Sequence, residues 1–371
     1  VRVPNNEVDP TARVDYPARV SALATSSQDG PPPDAILISA ASNIRYLSGF
    51  TGSNALLLVT RGGATLFTDP RYAIQAAQEC PFPARIEKGP LIQAVSRALK
   101  ATKVRRLAFE RNRMGFDAWE TLKRAVPPSC NLLPVNSAVE RLRMRKSPQE
   151  VEWIRESVET NSRALRRAMK RFRAGMRESE LAAEIDYQSR RAGAEMPAFE
   201  TIVAAGPRSA LPHARPTHAK IETKAMLLID MGAFQNGYAS DMTRTMFVGK
   251  APKRFKTMYR AVLEAQLAAI DTVRPGVSAA KVDLAARAVL ESSGFGDAFV
   301  HSTGHGLGLE IHEPPRIGKK EKTVVEAGFV ITIEPGVYFE DYGGIRIEDT
   351  VVVTDTGCEI LTPTSKELVE L

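Results

Sequence analysis

The rhythm of apolar positions changes once along the chain. Up to about residue 140, short apolar runs alternate with stretches of helical spacing. Residues 35–40 read as a buried strand, and 55–59 and 64–68 as a hairpin split at Arg61-Gly62-Gly63. Pro70 opens a helix with its body at 74–77, and segments 91–99, 105–109 and 116–125 continue the alternation. This pattern predicts an α/β domain over residues 1–140 with its own core.

A second domain, 141–371, follows a different order. Ser147-Pro148-Gln149-Glu150 is a capping box with proline in the first helical position. Val151, Ile154, Val158, Leu165, Met169 and Phe172 then keep helical spacing. A helix over 178–192 stops at Gly193, and strands are expected at 201–203, 226–231 and 238–248. The same order recurs: helices at 254–273 and 279–292, then strand-like segments around Phe299, at 329–337 and at 345–353. Helix, helix, strand pair appears twice, and a ligand held between two such halves has a natural place.

Both strand pairs carry acids. Leu227-Leu228-Ile229 ends on Asp230, and Tyr238-Ala239-Ser240 leads to Asp241. With 234–237 as the loop, Asp230 is expected to face Asp241. Facing like charges destabilise a sheet unless a cation lies between them. In the second pair, a turn centred on Asp341 sets Glu334 opposite Glu348, with Arg346 on the same face as Glu348 and Asp349 on the other.

All five histidines lie between residues 213 and 312. His305 sits in the glycine-flanked stretch Gly304-His305-Gly306, and His312 follows in Glu310-Ile311-His312-Glu313. Four carboxylates with one imidazole suit two divalent ions such as Mn²⁺, Co²⁺ or Zn²⁺. Two such ions about 3.5–4 Å apart can activate a water to attack a carbonyl at neutral pH. No G-x-S-x-G elbow and no P-loop offers a rival chemistry.

Composition narrows the setting. The three cysteines are scattered and predict neither disulfides nor a thiolate zinc site, which suits a reducing cytoplasm. No apolar run is long enough to cross a bilayer, and residues 1–14 are polar, without a signal-peptide core. The net charge is +7, with much of the arginine between 141 and 173, and this reads as a solvated helix face rather than a nucleic-acid surface.

The segments Ile229-Asp230-Met231-Gly232, Ser240-Asp241-Met242-Thr243-Arg244-Thr245, Gly304-His305-Gly306-Leu307-Gly308, Ile333-Glu334-Pro335-Gly336 and Arg346-Ile347-Glu348-Asp349 resemble the creatinase, prolidase and aminopeptidase P family. The resemblance implies an α+β pita-bread catalytic domain with a pseudo-twofold internal repeat, behind a creatinase-like α/β amino-terminal domain. It implies metal ligands Asp230, Asp241, His305, Glu334 and Glu348. Asp241 and Glu348 would bridge two ions, most suitably Mn²⁺, and Glu334 would pass a proton to the leaving nitrogen. His213 and His312 would act on the substrate, Arg346 would bind substrate or orient Glu348, and Phe199, His301 and Tyr338 would help to wall a proline pocket.

Arg45-Tyr46-Leu47-Ser48-Gly49-Phe50-Thr51-Gly52-Ser53-Asn54 and Thr68-Asp69-Pro70-Arg71-Tyr72 also resemble the amino-terminal domains of this family, which implies a homodimer. The expected activity is hydrolysis of the Xaa-Pro bond at the amino terminus of peptides by a metal-bridging hydroxide, as in aminopeptidase P. The alternatives are a strict Xaa-Pro dipeptidase and, in another class, a non-catalytic binding protein. An intact set of five ligand types weighs against the last, and an amino-terminal domain of this length against a methionine aminopeptidase.

Overall fold

The computed structural model describes residues 14–26 and 32–371; residues 1–13 of the polar amino-terminal segment lie outside them. The chain divides into two compact units that meet in sequence between Arg143 and Met144.

The first unit holds helices α1 (Tyr16–Thr25), α2 (Ala41–Ser48), α3 (Ala73–Glu79), α4 (Leu91–Thr102) and α5 (Phe116–Ala125), and α6 (Ala138–Met144) leads out of it. Its six-stranded sheet contains β1 (Ala35–Ile38), β2 (Ala55–Thr60), β3 (Gly63–Thr68), β4 (Ala84–Ile86), β5 (Arg106–Glu110) and β6 (Asn131–Val135), in the order β4-β3-β2-β1-β5-β6. The hairpin at Arg61-Gly62 forms as expected, with Thr60 opposite Gly63. Leu37, Leu58, Phe67, Leu99 and Leu107 fill the core. This is the α/β architecture that the alternation predicts.

The second unit opens with α7 (Pro148–Met169), capped by the reciprocal bonds of Ser147 and Glu150, and α8 (Glu178–Ala192), which ends at Gly193 in the left-handed conformation. Then come β7 (Met196–Pro197), β8 (Ile202–Ala205), β9 (Met226–Met231), β10 (Ala233–Gln235), β11 (Tyr238–Ala239) and β12 (Met242–Phe247). Helices α9 (Lys253–Thr272) and α10 (Ala279–Ser292) begin the second half. It continues with β13 (Gly304–Gly306), β14 (Glu313–Ile317), β15 (Val330–Ile333), β16 (Gly336–Phe339), β17 (Gly343–Arg346), β18 (Asp349–Val353) and β19 (Cys358–Ile360).

Helix, helix and strand pair therefore do recur. The first half builds the sheet β12-β9-β8 and the second builds β14-β13-β15-β18-β19. Each half keeps its own apolar core, around Leu165, Ile185 and Ile229 in the first and Phe255, Val262, Ile331 and Val351 in the second.

Two expectations need correction. The first hairpin turns in two residues, not four: Asn236 and Gly237 both have positive φ, at 53° and 73°, and Gln235 pairs with Tyr238. That is the geometry an Asn-Gly hairpin favours. The register moves by two residues, so Asp230 faces Thr243 rather than Asp241. Secondly, Phe299 is not in a strand. It follows a 3-10 turn at Gly296–Ala298, and its ring lies under Arg287, 4.1 Å from the guanidinium carbon. The second hairpin matches its expected register: Ile333 pairs with Asp349 and Gly336 with Arg346, which sets Glu334 and Glu348 at the same level.

Candidate metal centre

Strand ends of the second unit bring the acids together. Asp230 lies near the end of β9, Asp241 between β11 and β12, Glu334 between β15 and β16, and Glu348 between β17 and β18. The two-residue shift in the first hairpin keeps Asp230 and Asp241 on one face, because the side-chain period of a strand is two. Both line the same cavity as His305, Glu334 and Glu348. Its volume is about 850 Å³, within the roughly 300–1,000 Å³ usual for small-molecule sites.

His305 reaches this point on β13, a strand that leaves no room for side chains beside it. A Cβ on Gly304 would overlap the carbonyl of Thr332, and one on Gly306 that of Pro314. The His305 Nδ1 lies 3.0 Å from the Gly306 carbonyl, which can only accept, so Nδ1 carries the proton. Nε2 is then a bare lone pair. It faces Asp241 Oδ2 at 3.5 Å and Glu334 Oε1 at 3.4 Å. Acceptors aimed at one another in this way need a proton or a cation between them. One potential ligand atom each of Asp241, His305 and Glu348 lies within 4.8 Å of the others.

Electrostatics and hydrogen bonding agree. Among the described residues, Arg346 is the guanidinium that contacts this group of carboxylates. It donates to Asp230 Oδ2 at 2.7 Å and approaches Glu334 at 4.0 Å. Burial pushes Glu334 up to about 8, only partly offset by Arg346. Burial, and then the neighbouring carboxylates, hold Asp241 and Glu348 well above the usual carboxylate range. Without further positive charge the cluster retains protons. Asp230 Oδ1 and Glu348 Oε1 are buried and accept no hydrogen bond. Such orphans carry a large desolvation cost, which a divalent ion would remove. The donor set of oxygens and one imidazole fits borderline divalent cations.

The surrounding residues divide into two groups. Phe199, His213, His301, His312 and Arg346 line the cavity. The His312 ring stands edge-on to His305, with centroids 4.4 Å apart, and burial lowers its pKa. Tyr338 is a correction: it stands behind the wall. Its hydroxyl accepts from Arg346 Nη1 at 2.8 Å and contacts His301 Nε2 at 2.9 Å. His301 Nδ1 faces the Ser302 carbonyl at 2.8 Å, so both ring nitrogens are engaged, and burial lowers the ring to about 4. Arg346 is likewise committed to protein partners, adding the Pro212 carbonyl and the Thr243 hydroxyl. It touches Asp230 directly, and reaches Glu348 only through Thr243.

Sequence reasoning passed over the residues that hold the loop behind the centre. Asp283, fully buried on α10, accepts from the Thr303 amide at 3.1 Å and the Thr303 hydroxyl at 2.8 Å. Arg287, one turn on, pairs with Asp283 and donates to the carbonyls of Phe299 and His301. Thr303 in turn accepts the Glu334 amide at 2.7 Å. Spacing of i, i+4 was visible as a helix pair, but nothing local shows what such a pair grips. Arg316 was also missed. It is exposed at the edge of the same cavity.

Fold and cluster together define a class: an α/β unit followed by a duplicated α+β unit whose strand ends gather four carboxylates and a histidine around one cavity. Comparison with known proteins gives the family. Residues 152–355 match the model for metallopeptidase family M24, and residues 30–145 that for the creatinase/prolidase amino-terminal domain. A Xaa-Pro dipeptidase from Pyrococcus horikoshii is 37% identical over 337 residues, covering 91% of this chain and 94% of the relative. A solved Xaa-Pro dipeptidase from Bacillus anthracis superposes with a TM-score of 0.92 at 33% identity, covering 96% of this chain and all of that one. A solved X-Pro aminopeptidase from Thermotoga maritima gives 0.87 at 36% identity, covering 91% and 98%. The chain belongs to metallopeptidase family M24 and is a hydrolase of that family. Among its described residues no helix is long and apolar enough to cross a membrane.

Proposed function

We propose that the chain hydrolyses the Xaa-Pro bond at the amino terminus of short peptides, using two divalent ions held by Asp230, Asp241, His305, Glu334 and Glu348. The observation that carries this reading is the pair of unpartnered buried oxygens, Asp230 Oδ1 and Glu348 Oε1, beside the bare Nε2 of His305. When bound, such ions acidify water and polarise a carbonyl. Mn²⁺ is the metal we would test first.

The chain's own residues supply the rest. Glu334 is buried beside the cavity with a raised pKa, which suits it to hold a proton and deliver it to the leaving nitrogen. His213 and His312 face the cavity and can donate to the substrate carbonyl as charge develops there. His301, held neutral and fixed by Tyr338, forms an apolar-edged wall with Phe199, fit for a proline ring.

Two observations bear on substrate length. Arg346 has no free edge for a substrate carboxylate. Arg316 does lie exposed at the cavity, and it favours a dipeptide whose proline carboxylate it would meet. The second reading is an aminopeptidase P acting on longer peptides. It is favoured by the cavity volume of about 850 Å³, ample for a tripeptide.

The test is hydrolysis of Ala-Pro and Ala-Pro-Ala by the metal-stripped protein, before and after Mn²⁺. Metal-dependent cleavage of Ala-Pro alone, with a raised KM in Arg316→Ala, supports the dipeptidase. Cleavage of Ala-Pro-Ala supports the aminopeptidase. If the Mn²⁺-loaded protein cuts neither, the proline assignment fails. A reducing cytoplasm and a homodimer belong to the same reading, and light scattering at micromolar concentration tests the dimer.

A further inference from the structure

We propose that Thr243 is a positioning residue of the metal centre: its hydroxyl decides which oxygen of Glu348 is offered to a cation. The proposal rests on the metal centre proposed above. Thr243 is fully buried on β12, directly opposite Asp230 on β9. Its Oγ1 receives the Arg346 Nε–H at 3.0 Å. A hydroxyl has one hydrogen, and here it goes to Glu348 Oε2 at 2.7 Å. The Thr243 carbonyl meanwhile accepts the Glu348 amide at 3.2 Å and Arg244 Nη1 at 2.9 Å. Thr243 therefore holds Glu348 by both backbone and side chain.

The consequence is a division of oxygens. Arg346 occupies Asp230 Oδ2 directly and, through the Thr243 hydroxyl, orders Glu348 Oε2. What remains is one unpartnered oxygen on each acid, Asp230 Oδ1 and Glu348 Oε1. One guanidinium and one hydroxyl thus sort two carboxylates from opposite halves of the unit into a held oxygen and an offered oxygen. Valine matches the shape of threonine but cannot make this link.

The experiment is calorimetric titration of Mn²⁺ into the metal-stripped full chain. Thr243→Val should bind Mn²⁺ more weakly by about 10–100-fold, the usual cost of removing an outer partner of a metal ligand. Thr243→Ser, which keeps the hydroxyl, should restore binding. Thermal unfolding of each stripped variant checks folding, and Thr243→Ala provides the same comparison should the valine variant not fold. Mn²⁺ binding of wild-type strength by Thr243→Val, or equal weakening in Thr243→Val and Thr243→Ser, overturns the role of the hydroxyl. Failure of the wild-type chain to bind Mn²⁺ overturns the metal centre itself, and this inference with it.

Discussion

Two buried arginine–aspartate pairs cross between the halves of the second unit, and they are built to opposite ends. Arg244 of the first half reaches Asp349 of the second, and Arg346 of the second reaches Asp230 of the first, each at 2.7 Å. Around Asp349 every oxygen is taken. Oδ1 accepts from Arg244, and Oδ2 from Gln266 at 2.9 Å and from Lys366. Around Asp230, Oδ2 is taken and Oδ1 is not. A saturated carboxylate holds the fold together; a half-satisfied one among other acids keeps an oxygen open, and the proposed metal centre would use it. Charge pairing alone does not distinguish them, whereas the count of accepted hydrogen bonds does.

Substitution should separate the two pairs most sharply. Asp349→Asn strands Arg244 and Lys366 and should lower unfolding stability by about 3–5 kcal/mol, the usual cost of breaking a buried pair from one side. Asp230→Asn also opens a buried pair, but Arg346 keeps the Thr243 and Tyr338 hydroxyls, the Pro212 carbonyl and Glu334 at 4.0 Å, so the loss in the metal-stripped protein should be smaller than for Asp349→Asn. Asp230→Asn should instead cut Mn²⁺ affinity and peptidase activity by more than the roughly 10–100-fold typical for loss of an outer partner. Denaturant melts beside calorimetry decide this; equal destabilisation by both changes would erase the distinction.

The open cluster should also reveal itself through pH. Glu334 is raised to about 8, and Asp241 and Glu348 well above their usual range. The folded state thus binds more protons than the unfolded state, and stability falls as pH rises towards 8. His301 and His305, lowered to about 4 from 6.5, act in the opposite sense, and their effect ends near 6.5. Between pH 6.5 and 8 only the carboxylates act. The stripped protein should there lose stability as the pH rises, because the folded state holds carboxyl protons that the unfolded chain has released, and saturating Mn²⁺ should remove the decline. A flat stability profile for the stripped protein would contradict the protonated cluster.

A third pair tests whether saturation always means scaffold. Arg287→Met removes the grip of Asp283–Arg287 on the loop carrying His301 and Thr303. Stability should fall by a few kcal/mol, about the 3–5 of a broken buried pair or somewhat less, and KM should rise because the His301 wall shifts. The smallest effect belongs to the turn outside the cluster. Gly237→Ala forces a side chain on to a φ of 73° and should cost about 1–2 kcal/mol, leaving kcat/KM unchanged.

The strand acids were legible because they end apolar runs, and the second hairpin was legible to the residue. The first is less so: Asn236-Gly237 alone makes the turn, where a four-residue loop over 234–237 is the expectation. The difference is harmless to the site, since a slip of two preserves the face. Helix limits at Pro148 and Gly193 followed from capping and left-handed geometry. What stayed hidden depended on distant partners. The family resemblance implies a pocket-wall role for Tyr338, but its hydroxyl is engaged by Arg346 and His301, and no short segment of sequence shows those partners. Strands β13 and β14 carry glycine and proline rather than β-formers, and only the sheet they join defines them. Asp283 carries no signal beyond its own periodicity, and Thr243 none beyond its place in a segment shared with the family.

The reciprocal crossing of the arginines has a consequence for how the molecule is made. Asp230 and Arg346 are separated by 116 residues, and Arg244 and its acceptor at Thr364 by 120. A growing chain displays the acidic hairpin long before the guanidinium that balances it has been synthesised, and the first arginine emerges well ahead of its aspartate. At about 5–20 residues per second, the usual pace of synthesis, that interval lasts several seconds or more. Neither half can close its charge account alone, so the centre takes shape only when the second half arrives, and the nascent first half is left as an unmatched acidic strand pair until then.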